Sequence, residues 1–156
     1  MKTSYKAVGG VEQVALYPTD AVETALFSSE GCEVTLAYSP IEVLLVDDSS
    51  RYEEEATCRE GVSLVTHRLH LVADRCSAEQ WLDQEFLERT AEEGVVAVVK
   101  LCDGRTLLVG YSARFGNEQP LRLDSLISSS GEGVHESPRV TLQLRSYDTE
   151  FSTELI

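Results

Sequence analysis

The sequence predicts a mainly β fold of the α+β class: an antiparallel β-sandwich or barrel with one amphipathic helix, at about residues 77–93, packed on it. Three observations carry this expectation. Polar and apolar residues alternate with the period of a half-buried strand in several runs, among them Glu33–Tyr38, Leu121–Ile127 and Val140–Tyr147. Asp103-Gly104 separates two apolar, β-branched runs and reads as a two-residue hairpin turn. One stretch, beginning at Ser77, has helical spacing.

The elements follow in order. Val11, Val14 and Leu16 open an apolar segment that stops at Tyr17-Pro18, and Glu33–Tyr38 alternates until Pro40 breaks it. Ile41–Val46 is short, continuous and apolar, as expected of a strand buried on both faces. Asp47-Asp48-Ser49-Ser50 is a loop by composition. Tyr52–Cys58 alternates weakly and suits an edge strand with its glutamates in water. Val62–Ala73 is the longest β-like run, with Val65, His67, Leu69 and Leu71 on one face.

The expected helix begins with Ser77-Ala78-Glu79-Gln80, which has the form of a capping box. Ala78, Trp81, Leu82 and Phe86 then share a stripe, so Trp81, Leu82 and Phe86 are the candidate core anchors, and Gly94 supplies the left-handed cap. Val95–Leu101 and Thr106–Tyr111 form the hairpin about Asp103-Gly104. A glycine- and serine-rich stretch follows Ile127, giving a flexible loop at 128–138, and residues 146–156 make an extended C-terminal arm. A loop of this length inside a compact domain is often functional. Ser128, Ser129, Ser130, Gly131 and Gly133 are therefore the candidate assembly loop.

At 156 residues the chain is expected to be one β-rich domain, large enough to bury a core without metal or disulfide. It carries 27 acidic and 13 basic residues, a formal charge of −14, and this disfavours direct, sequence-specific nucleic-acid binding. The opening MKTSYKAVGGVEQ lacks the apolar stretch of a signal peptide, and no window is apolar enough to span a membrane. Synthesis in the cytoplasm is expected. Cys32, Cys58, Cys76 and Cys102 include no Cys-x-x-Cys pair, so they read as buried, reduced thiols.

Little in the sequence points to catalysis. Gly110-Tyr111-Ser112-Ala113-Arg114 lacks the second glycine of a nucleophile elbow and is followed by no helix pattern. No phosphate-binding glycine loop or dinucleotide fingerprint is present. His67 and His70, three apart on a strand, point to opposite faces and cannot chelate one ion, and His67 reads as a satisfied core histidine. Asp47 with Asp48, or the run Glu53-Glu54-Glu55, could bind a hard cation, although neither fits an EF-hand. No catalytic residue, cofactor, resident metal or small-molecule substrate is expected.

The layout resembles small hypothetical proteins of Bacteroidetes phages and prophages that sit among tail and neck structural genes. Val8-Gly9-Gly10-Val11-Glu12-Gln13-Val14, a glycine start leading into a strand, carries part of the resemblance. So does Leu107-Leu108-Val109-Gly110-Tyr111 before a loop containing Phe115-Gly116. The third feature is Ser130-Gly131 in a long loop, followed by Pro138–Leu144 and an extended tail. Residues 30–60 have no counterpart in that pattern. The resemblance implies a non-enzymatic virion structural protein, such as a tail tube, tail terminator or head–tail connector subunit. Such a subunit would form a homo-oligomeric ring, meet other virion proteins, and end in the virion, where an acidic surface lets DNA slide without sticking. The alternative is a monomeric acidic module that binds a cation or a basic protein partner.

Overall fold

The computed structural model describes residues 10–46, 49–130 and 138–156. They form three antiparallel sheets stacked as layers around two apolar cores, so the mainly β expectation holds as a layered sandwich; no sheet closes into a barrel.

The middle layer is a five-stranded sheet in the order β11-β8-β7-β1-β4. Its strands are β1 (Val11–Pro18), β4 (Ile41–Val43), β7 (Val95–Leu101), β8 (Thr106–Val109) and β11 (Thr153–Glu154). One outer layer is a four-stranded sheet in the order β5-β6-β10-β9, from β5 (Arg51–Arg59), β6 (Val62–Asp74), β9 (Arg122–Ser129) and β10 (Arg139–Asp148). The other is the hairpin of β2 (Val22–Ser28) and β3 (Gly31–Leu36).

The larger core lies between the five- and four-stranded sheets. Leu16, Val99 and Val109 meet Leu69, Leu71, Leu142 and Leu144 there, all essentially inaccessible to solvent. The smaller core lies on the other face of the middle sheet, where Val96 and Leu108 pack with Cys32 of the two-stranded layer. Strand β7 is therefore covered on both faces, which explains its unbroken Val95-Val96-Ala97-Val98-Val99 run.

Four local expectations change. The predicted helix at 77–93 is two short helices, α1 (Arg75–Ala78) and α2 (Gln84–Glu92). Their caps are Asp74, which accepts from Cys76 N at 2.9 Å, and Asp83, which accepts from Phe86 N at 2.8 Å; Ser77 caps neither. Asp83 adopts extended backbone and restarts the helix, because its short carboxylate competes for free helical N–H groups. Trp81 and Leu82, in the link between the two helices, both pack against the larger core, and Trp81 meets Phe86 edge-on, ring centroids 4.9 Å apart. Gly94 follows α2 with φ +81°, as expected.

The run 41–46 is not one strand buried on both faces: β4 ends at Val43 with Glu42 exposed, and Leu44 after it is exposed too. The chain leaves the middle sheet there and crosses to the four-stranded sheet, where Leu45 bridges Ala73 and Val46 N donates to Val72 O. The hairpin between β7 and β8 closes through Leu101 N to Arg105 O, so its loop is one residue longer than the two-residue turn expected. Residues 146–156 do not reach outward as an arm. Ser146–Asp148 end β10, β11 pairs with β8, and Ile156 N donates to Cys32 O. Gly31 makes this docking feasible, since a Cβ there would collide with the Glu154 carbonyl.

Candidate functional site

The strongest polar constellation lies where β5 and β6 meet the segment after β10. Glu54 and His67 stand directly opposite on the two strands, both facing inward. Tyr52, two residues away on the same face of β5, donates its hydroxyl to Glu54 Oε1 at 2.8 Å and lies 2.7 Å from His67 Nδ1. Ser152 completes the group. Its hydroxyl contacts the Tyr52 hydroxyl and lies 3.1 Å from His67 Nδ1, and its N–H donates to Glu54 Oε1 at 3.2 Å.

The tautomer follows from the partners. His67 Nε2 lies 3.0 Å from the Glu150 carbonyl oxygen, which can only accept, so Nε2 carries the proton. Nδ1 is then an acceptor; the Ser152 hydroxyl can donate to it, since the single Tyr52 proton goes to Glu54. Burial, above all, holds the Tyr52 phenol far above its ordinary pKa; the Ser152 hydrogen bond works against this and the Glu54 carboxylate adds to it.

A serine beside an oriented histidine is the beginning of a nucleophilic site. Here the hydroxyls, the carboxylate and the imidazole are spent on one another, and the Ser152 N–H that could steady an oxyanion is given to Glu54. What the arrangement does is tie residues 150–152 to the four-stranded sheet. The sequence shows why it was missed: Ser152 is 85 residues from His67 and sits in a segment with no motif.

A second feature is one of shape. β6 pairs with β10 from Val65 onward, whereas β5 and β6 continue together to Arg59 and Val62. The hairpin thus outruns its sheet, and every residue from Glu55 to Leu64 is exposed, including Val62 at 70% and Leu64 at 42%. Glu60 and Gly61 close it with φ of +51° and +81°, the pair of positive values that a tight right-twisted hairpin turn needs.

The residues singled out from sequence fall in separate places. Trp81, Leu82 and Phe86 are in the larger core, Phe86 fully and the other two partly buried. Ser128 and Ser129 extend β9, opposite Val140 and Arg139, and Ser130 follows them exposed. Gly131 and Gly133, like Asp47 and Asp48, lie outside the described residues. Ser112 sits in a tight turn and accepts from Phe115 N, a structural role. His67 is buried and satisfied, as expected. Of the four cysteines only Cys32 is buried: Cys58 lies on the projecting hairpin and Cys76 on the solvent side of α1, both exposed, and Cys102 is half-buried.

An open groove of 620 Å³ lies between β4 and the α1–α2 link, with Ile41, Leu44, Cys76 and Trp81 in its walls. Among the described residues no three His, Cys, Asp or Glu side chains are placed to hold a metal ion, and no helix is long and apolar enough to cross a membrane. No family model, curated protein or solved structure matches the chain.

Proposed function

We propose that this chain is a non-enzymatic structural subunit that assembles with copies of itself into a ring, as a phage or prophage tail tube, terminator or head–tail connector protein does. The observation that carries the reading is the β5–β6 hairpin. A two-stranded ribbon standing free in water is marginal, and this one exposes Val62 and Leu64 beyond the last strand that could support it. A neighbouring subunit would supply the missing contacts. On this reading the protein is made in the cytoplasm and ends in the virion beside other structural proteins.

The test is the size and shape of the particle. Sedimentation velocity and negative-stain imaging at rising concentration should reveal rings or short tubes. A species that stays monomeric at millimolar protein defeats the reading.

One observation favours the alternative, an acidic module that binds a cation or a basic protein. Between Lys6 and Arg51 the chain has eight acidic residues and not one basic residue or histidine. A calcium-dependent rise in melting temperature, lost when Asp47 and Asp48 are both replaced by Asn, would support it, and a flat response would dismiss it.

A further inference from the structure

The outward face of the four-stranded sheet breaks the acidic pattern. Arg68, Arg145 and Arg122 occupy directly opposite positions on β6, β10 and β9, three arginines side by side in one row. Like charges in such positions repel and destabilise a sheet. Two are partly neutralised: Arg68 by Glu55 at 2.8 Å and Arg145 by Asp124 at 2.9 Å. Among the described residues Arg122 meets only the backbone carbonyl of Glu92. Glu53 ends the row opposite Arg68 and pairs with Arg51 at 3.0 Å; Arg51 and His70 lie opposite each other one row along, and a 50 Å³ depression opens between the rows. Two nitrogens at this spot are buried without a hydrogen-bond partner among the described residues, Arg145 Nε and His70 Nδ1. An unsatisfied guanidinium donor, Arg145 Nε, and neighbouring arginines suit an incoming carboxylate.

The opposite end of the layer stack has the complementary chemistry. The outer face of the β2–β3 hairpin lies in the stretch without basic residues, and it presents Glu23, Glu30 and Glu33 around Leu26, which is 67% exposed. We infer that the arginine row is the docking surface for the acidic β2–β3 face of a second copy of this chain. The contact is head-to-tail, so each copy keeps one free face of each kind; repetition closes a ring or extends a stack, according to the rotation between neighbours. Tyr147, exposed beside Arg145 and accepting its hydrogen bond at 3.1 Å, gives the basic face an apolar partner for Leu26. The inference deepens the assembly reading above and rests on it.

Charge reversal on the full-length protein tests it. Arg68→Glu with Arg145→Glu, or Glu23→Lys with Glu33→Lys, should each weaken self-association about tenfold or more, because like charges then face each other. The protein carrying all four changes should associate again, since the faces are complementary once more. Association of the unchanged protein should also weaken as salt rises. Neutral Arg68→Gln guards against misfolding: it relieves repulsion within the sheet, so melting temperature should hold while association falls. If the unchanged protein associates and the reversals leave its affinity intact, this interface is wrong and the assembly reading survives. If it never associates, both fail. Capture of heparin or single-stranded DNA by the arginine row, in place of a second copy, also overturns the inference.

Discussion

His67 on β6 and Glu150 beyond β10 are joined through imidazole Nε2 and a backbone carbonyl 3.0 Å apart, a contact spanning 83 residues of sequence. It anchors a network in which Tyr52, Glu54 and Ser152 also take part.

The network gives the protein an alkaline weakness. The Tyr52 phenol is held above its usual pKa of 10.0, mainly by burial, so the folded chain keeps a proton that the unfolded chain loses. Its contribution is complete below pH ~10 and is lost as pH rises beyond that value. Urea melts at pH ~9 and pH ~11 should show a smaller loss for Tyr52→Phe than for the unchanged protein. Equal losses would mean that this phenol ionises without unfolding.

Gly31 controls the tail. In Gly31→Ala the new methyl would meet the Glu154 carbonyl and the Ile156 side chain, so β11 should lift from β8. Limited proteolysis should then cut within residues 149–156 faster than in the unchanged chain, with the larger core intact by near-ultraviolet circular dichroism.

The helical caps separate two readings of the same stretch. Asp83→Ala should cost about 1 kcal/mol by removing the bond to Phe86 N, whereas Ser77→Ala should change stability by less than about half of that. Chemical denaturation measures both. The reverse order would restore Ser77 as the start of one long helix.

The cysteines should react in a fixed order. Cys58 and Cys76 are exposed and should be modified rapidly by a thiol reagent, with Cys102 slower. Cys32 is wholly buried, and burial pushes its thiol pKa up, so it should react only on unfolding. Mass spectrometry of partly labelled protein reads the order directly.

How much of this the sequence displays depends on the range of the interaction. Strands β3, β5, β6, β7 and β10 were visible as alternating or continuous apolar runs, because alternation is a local property of a half-buried sheet. The break at Asp83 was not, since an aspartate suits a helix face in water and a helix start alike. Nor was the course of the chain after Val43, where an apolar residue, Leu44, is left exposed by a crossing between two sheets. The candidate surfaces were hidden for the same reason. Arg68, Arg122 and Arg145 are 54 and 23 residues apart in sequence, and register alone aligns them. The serines of the expected assembly loop were conspicuous in composition, yet two of them are strand residues.

Strand β7 is the wall between the two cores, with Val99 on one side and Val96 on the other. Neither core can open without baring the strand that the other depends on. The three layers therefore form one cooperative unit. The amides of β7 should exchange with solvent through global unfolding, while those of the projecting hairpin exchange freely. A chain built this way can flex at its surface ribbons without loosening its centre.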